Sequence, residues 1–222
     1  NTELGDGGDN CPAKTQSTEP LIKIENTEFP TFTTGAWCYD GKHFIAAHKD
    51  GSISKYNLEQ STGGKLVEHL KIHDDVITDL QMSFDRTYFL TASRDKTAKL
   101  FDCDTLKQYK TFADRAPLNS ASLTPIKDFV ILGGGQDAGS VTTTTAQEGD
   151  FKSKFYHKIF EDLLGEVKGH FGPINSISVD PKGKSYATGG EDGYVRLHHF
   201  DKQYYDFYYD IELRMKEGVA IN

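Results

Sequence analysis

Three times along this chain a short run closes on an aspartate, and a bulky ring follows six residues later. The runs are Ala46-Ala47-His48-Lys49-Asp50 before Tyr56, Thr91-Ala92-Ser93-Arg94-Asp95 before Phe101, and Thr188-Gly189-Gly190-Glu191-Asp192 before His198. In the last two a histidine, His73 or His170, also lies 22 residues ahead of the aspartate. A pattern that returns at fixed spacing marks a repeated supersecondary unit, and it constrains the fold before any single residue is interpreted.

The units resolve into short strands. In the first they read Thr33–Tyr39, His43–His48, Ser52–Asn57 and Leu66–His73, with Asp40-Gly41-Lys42 and Lys49-Asp50-Gly51 as tight turns. In the second they read Ile77–Phe84, Tyr88–Ser93, Thr97–Asp102 and Gln108–Phe112. Val76, Thr78, Leu80, Met82 and Phe84 alternate with Ile77, Asp79, Gln81 and Ser83, the period of two that a strand imposes. The third unit holds Asn119–Leu123, Phe129–Gly133, Val141–Thr145 and an outer strand within Phe155–Lys168. The fourth holds Ile174–Val179, Ser185–Gly189, Tyr194–Phe200 and Tyr204–Tyr209. Asp50, Asp95, Asp137 and Asp192 stand at intervals of 45, 42 and 55 residues, which places an insertion in Glu148–Gly169. Lys158–Leu164 also has helical propensity, but an outer strand matches the other units. Pro20–Glu25 reads as the last strand of a preceding unit. The boundaries expected are an acidic, Gly-rich linker over 1–19, units near 20–73, 74–113, 114–169 and 170–211, and a weakly helical tail over 212–222.

Four-strand units of 40–45 residues predict an all-β, WD40-type β-propeller. Composition agrees: 21 glycines and only 7 prolines in 222 residues suit many short strands joined by turns. No apolar run reaches the length of about 18 residues that a membrane helix needs, and no signal-peptide pattern is visible. The net charge of −8 argues against a broad nucleic-acid surface. Cys11, Cys38 and Cys103 match no zinc spacing, and a reduced, cytoplasmic setting suits them.

The repeat also predicts a buried network. A histidine before the innermost strand can bond the aspartate between the second and third strands. A hydroxyl on the second strand can carry the chain on to the ring of the third. His73, Thr91, Asp95 and Phe101 fill these places in one unit, although Phe101 cannot donate a hydrogen bond. His170, Thr188, Asp192 and His198 fill them in another, where His198 can. The same residue types suit a hydrolase triad, but their recurrence at one spacing is explained by a repeat and not by a single active site. Gly133-Gly134-Gly135-Gln136-Asp137-Ala138-Gly139 lacks the lysine and following helix of a phosphate loop and reads as a turn between strands. Adjacent rings at His198 and His199 point to opposite faces of a strand and cannot chelate one metal. No catalytic residue, cofactor or metal site is expected.

Longer segments carry a resemblance. Gly134–Ala138 with Val141–Thr144, Phe155–Glu161, Lys168–Asn175 and Gly189–Phe200 resemble the i subunit of eukaryotic translation initiation factor 3, and Ala47–Tyr56 is similar too. The resemblance covers about residues 20–210. It implies the C-terminal four blades of a seven-bladed ring, in a cytoplasmic scaffold without catalytic activity. Such a scaffold joins the b and g subunits and supports recruitment of the small ribosomal subunit and scanning of mRNA, with no nucleic-acid site of its own and no membrane contact. A WD-repeat adaptor of a signalling or ubiquitin-ligase complex is the alternative. The resemblance further implies that the C-terminal helix of the b subunit lies near Asp85, Tyr88 and Asp102. Asp85 sits in a turn between first and second strands, and Asp102 begins a turn between third and fourth, so both reach one face of the ring. An acidic pair beside an aromatic ring suits a basic helix with an apolar anchor.

Overall fold

The computed structural model describes residues 22–24, 30–59, 64–136, 151–209 and 212–213. They form four antiparallel sheets and one short helix. Sheet 1 is β1 (Phe32–Trp37), β2 (His43–His48), β3 (Ser52–Asn57) and β4 (Lys65–Lys71), in that order. Sheet 2 is β5 (Ile77–Met82), β6 (Tyr88–Ser93), β7 (Thr97–Asp102) and β8 (Gln108–Ala113). Sheet 3 is β9 (Leu118–Leu123), β10 (Phe129–Gly134), β11 (Lys152–His157) and β12 (Leu163–Lys168). Sheet 4 has three strands, β13 (Ile174–Val179), β14 (Ser185–Gly190) and β15 (Val195–His199). The first strands of successive sheets lie side by side, β1 against β5, β5 against β9 and β9 against β13, the arrangement of WD40-type propeller blades.

Three strand assignments need correction. The third strand of sheet 3 is Lys152–His157, so the surplus residues lie between β10 and β11 and not in 148–169; Val141–Thr145 falls outside the described residues. Lys152–His157 shows no period of two, because residues on both of its faces are buried. Tyr204–Tyr209 is no strand. Asp201 accepts from Tyr204 N at 2.9 Å and caps the helix α1 (Lys202–Asp206) in its place. Ile22–Ile24 carries no strand, and only Glu212 and Leu213 of the tail are described.

The alternation in Val76–Phe84 also breaks. β5 bulges between Ile77 and Asp79, so Ile77 and Leu80 are both buried, whereas Phe84 lies beyond the strand and is 83% exposed. β1, β9 and β13 bulge at the same register position. The bulged side chains stitch neighbouring sheets together. Thr78 Oγ1 donates to Leu118 O at 3.0 Å, and Asn119 Nδ2 donates to Ile174 O at 3.2 Å.

Three apolar layers fill the spaces between sheets. Ile45, Ala47 and Ile53 meet Ile77, Phe89 and Phe101; Leu90, Ala92, Ala98 and Leu100 meet Leu118, Val130, Leu132 and Tyr156; Ile131 meets Ile174, Ile177 and Tyr186. Full burial of each such aliphatic side chain is worth about 1.5–3 kcal/mol. The facing positions recur in register. Leu90, Ala92, Ala98 and Leu100 correspond to Ala187, Gly189, Val195 and Leu197 of sheet 4. There Val195 and Leu197 are 79% and 63% exposed.

Polar groups cross the same spaces. Lys55 is buried in sheet 1 and donates to Cys103 O at 2.9 Å and Asp104 O at 2.8 Å in sheet 2. Lys154 of β11 forms a buried ion pair with Asp114. Neither contact could be read from the sequence, because each depends on how one blade docks against the next.

Candidate partner-binding face

The turns joining first to second strands and third to fourth strands emerge on one face. Between sheets 2, 3 and 4 this face carries a groove of about 390 Å³. Its walls are Ser83–Asp85, Thr124–Asp128 and Asp180–Pro181 of three turns, with Tyr88 and Lys158 at the junction of sheets 2 and 3. Phe84 and Ile126 present exposed apolar surface here, and Asp85, Asp128 and Asp180 supply negative charge.

Asp85 is held by its own turn. Its Oδ1 accepts from Ser83 Oγ at 2.6 Å, Thr87 Oγ1 at 2.8 Å and Thr87 N at 3.1 Å. The Ser83 and Thr87 donors hold its carboxyl below the usual carboxylate range. Its Oδ2 has no hydrogen-bond partner among the described residues, so this oxygen is available to a cation.

Tyr88 begins β6 and lies opposite Asp102 in the β6–β7 pairing. Lys158 reaches across from sheet 3, donating to Tyr88 Oη at 3.1 Å and pairing with Asp128 at 2.5 Å. Burial opposes the charge on Lys158, but the Asp128 and Tyr88 oxygens outweigh it and raise the pKa.

Asp102 is differently placed. Its Oδ2 accepts from Tyr109 Oη at 2.6 Å, and its Oδ1 accepts from Thr105 N, Thr105 Oγ1 and Asp104 N at 2.7–3.1 Å. These donors, Tyr109 first, hold its pKa down to about 2. Both oxygens are therefore engaged in shaping the turn. Asp102 is absent from the groove lining, whereas Asp85 and Tyr88 belong to it. Sequence reasoning misses Phe84, Ile126 and Lys158; the only local cue is the hydrophobicity of Phe84 and Ile126 in otherwise polar turns.

The histidine networks lie toward the opposite face. His73 Nδ1 is 2.8 Å from Asp95 Oδ2, and its Nε2 is 2.8 Å from Thr91 Oγ1. Thr91 Oγ1 continues to the backbone carbonyl of Lys99 at 3.2 Å, and Thr97 Oγ1 donates to Asp95 Oδ1 at 2.6 Å. Phe101 stands outside this chain and stacks on Phe89 at 5.4 Å. In sheet 4, His170 Nδ1 is 3.0 Å from Asp192 Oδ1 and its Nε2 is 2.8 Å from Thr188 Oγ1. His198 does not close this network. Register places it opposite Tyr186, on whose ring it stacks at 4.7 Å, while Arg196 lies opposite Thr188 and donates to Asp192 at 2.9 Å. Burial opposes the charge on Asp192, but the Phe171 N–H, His170, Tyr194 N–H and Arg196 hold its carboxyl well below the ordinary range.

Thr91 and His73 are 0% and 1% exposed. Their hydrogen bonds tie the turn at His73 to the turn at Asp95 within sheet 2.

The family model and the curated relatives point to one family. The family model EIF3I matches residues 9–210. The protein called eukaryotic translation initiation factor 3 subunit I in Kluyveromyces lactis is 56% identical over 195 residues, 87% of this chain and 55% of that relative. The protein of the same name in Coccidioides immitis is 54% identical over 211 residues, 94% of this chain and 60% of that relative. The chain thus spans somewhat more than half the length of the curated relatives it matches. Among solved structures, the computationally designed Ika4 protein superposes with a TM-score of 0.62 over 82% of this chain and 99% of that one; at 16% identity this is a likeness of fold alone. The chain belongs to the eukaryotic translation initiation factor 3 subunit I family.

Proposed function

We propose that this chain is the partner-holding part of a non-catalytic scaffold in initiation factor 3, joining the b and g subunits in the cytoplasm. In this reading the C-terminal helix of the b subunit docks at Asp85 and Tyr88, and the assembled factor supports small-subunit recruitment and mRNA scanning. The observation that carries the reading is the groove itself: exposed Phe84 and Ile126 beside Asp85, whose Oδ2 faces no protein donor among the described residues. A helix with a bulky apolar anchor and a neighbouring Arg or Lys satisfies both halves of that surface. Asp102 serves the site indirectly, by shaping the turn beyond Tyr88.

A ring of seven blades belongs to the same proposal. The register positions that bury against a following sheet are open on sheet 4, at Ala187, Gly189, Val195 and Leu197. Small residues beside uncovered Val and Leu make a face shaped for a further sheet. The test is affinity purification of the full-length protein from cells, followed by sedimentation. Recovery of the b and g subunits and co-migration with small ribosomal subunits are expected. Recovery without any other initiation-factor subunit would defeat the proposal.

A further inference from the structure

The residues after β15 do more than end the chain's last sheet. The segment Asp201–Tyr209 turns back over the groove-bearing face and crosses from sheet 4 to sheet 3. Tyr205 Oη donates to Gly183 O at 3.0 Å, in the turn of sheet 4 that lines the groove. A Cβ added at Gly183 would lie 2.7 Å from Ile126, so this turn and the Pro125–Asp128 turn are in direct contact. Lys127 then joins that second turn to the segment. Its buried Nζ donates to Phe207 O at 2.8 Å and lies 3.3 Å above the Tyr208 ring. Tyr204 stacks on Phe200 at 3.9 Å and meets Phe129 edge-on at 5.5 Å. Tyr209 completes the crossing, with its ring 4.8 Å from His157 and its hydroxyl 3.0 Å from Asp162 Oδ2.

Lys127 thus lines the groove and also joins this segment, while its neighbour Ile126 lines the groove and packs on the Gly183 turn that Tyr205 holds. Tyr205, Tyr208 and Tyr209 line no part of the groove. We infer that Asp201–Tyr209 is a strap that fixes the Pro125–Asp128 wall, making its tyrosines positioning residues for the partner bound on the other side. This inference rests on the groove being the partner site. A cation held both by a carbonyl and over an aromatic face is a directed, partly desolvated contact. Losing it frees the wall turn while leaving the apolar layers between sheets in place.

The test uses the whole chain and the double variant Tyr205→Phe, Tyr208→Leu. Two backbone amides report on the wall: Thr124 N, bonded to Phe129 O at 3.1 Å, and Lys158 N, bonded to Asp128 O at 2.6 Å. Hydrogen exchange at both is expected to quicken about tenfold, with Leu90 and Leu132 in the central strands unchanged. A synthetic peptide of the b subunit's C-terminal helix is expected to bind the variant about tenfold more weakly. Unchanged exchange at Thr124 and Lys158 would overturn the strap, and faster exchange with unchanged peptide affinity would overturn its coupling to the groove. If exchange rises throughout the chain, Tyr205→Phe alone, which removes a single oxygen, decides the matter by the same two readings. A wild-type chain that fails to bind the peptide counts against the partner assignment, and the strap is then judged on exchange alone.

Discussion

Gly133 and Gly189 occupy the same register position in sheets 3 and 4. Gly133 pairs with Ser120 and Gly189 with Ser176, each just past the bulge of its innermost strand. Their surroundings differ. A Cβ at Gly133 would meet Ile177 Cδ1 at 2.6 Å and Ile174 Cγ2 at 2.9 Å, whereas one at Gly189 would find nothing within 4 Å. Overpacking a filled interface costs about 1–3 kcal/mol, and replacing a strand glycine by alanine returns about 0.5–1 kcal/mol of backbone entropy. Gly133→Ala should therefore lose about 1–2 kcal/mol, while Gly189→Ala should be neutral or gain about 0.5 kcal/mol. Urea denaturation followed by circular dichroism separates the two. Equal effects would refute the packing of sheet 4 onto sheet 3. The same pair tests the larger ring. In the full-length protein, a blade lying on sheet 4 would make Gly189→Ala as costly as Gly133→Ala. A neutral result there would leave the sheet 4 face uncovered and remove the argument for further blades.

Three other predictions concern polar groups. Burial holds the His73 imidazole below its ordinary value of 6.5, against the pull of Asp95, so the folded chain binds a proton there less readily than the unfolded chain. Stability should be full above about pH 6.5 and decline as pH falls below it. His73→Gln should flatten that part of the urea-midpoint profile, and an unchanged slope would show that His73 does not contribute it. A lower window belongs to Asp102: its contribution is present above about pH 4 and lost as pH falls through about 2. The Tyr204 hydroxyl is buried beside Thr124 but forms no well-shaped hydrogen bond among the described residues, the Thr124 hydroxyl being directed to the Lys127 and Phe129 carbonyls. Since an unsatisfied buried polar group costs about 1–3 kcal/mol, Tyr204→Phe should leave the Tm unchanged or raise it. A clear fall in Tm would mean that this hydroxyl has a partner.

The sheets are legible in the sequence because each strand's pattern is local. Asp50, Asp95 and Asp192 mark tight turns through hydrogen bonds to residues two positions on, at Ser52, Thr97 and Tyr194. Phe101 and His198 share one spacing from their aspartates, yet both pack against rings on the neighbouring strand, Phe89 and Tyr186. Their common role is therefore cross-strand stacking, which spacing alone does not distinguish from hydrogen bonding. Lys152–His157 escapes a reading by periodicity because Lys154 is buried through its ion pair with Asp114, at the end of the preceding blade. Tyr204–Tyr209 has the aromatic content of a strand, but the Asp201 cap and the acceptor at Gly183 O select a helical turn and a strap instead. At the groove-bearing face, Asp85 and Tyr88 can be placed from turn positions. Their difference from Asp102 lies in the direction of carboxylate oxygens and becomes visible only with Tyr109 and Thr105 in place.

In the proposed function, the Asp85 edge of the groove holds a basic, apolar-anchored helix of the b subunit. Binding of that helix, titrated at low and moderate salt, should be weakened at least tenfold by Asp85→Lys. That change also removes the Oδ1 acceptor of Ser83 and Thr87 and lowers the urea midpoint. Asp85→Asn, which keeps an Oδ1 acceptor and removes only the charge, should weaken binding with the midpoint nearly unchanged. Affinity should also fall with rising salt, since an exposed carboxylate–cation pair is screened. Wild-type affinity in the Asp85→Lys chain, or binding indifferent to salt, would contradict the account.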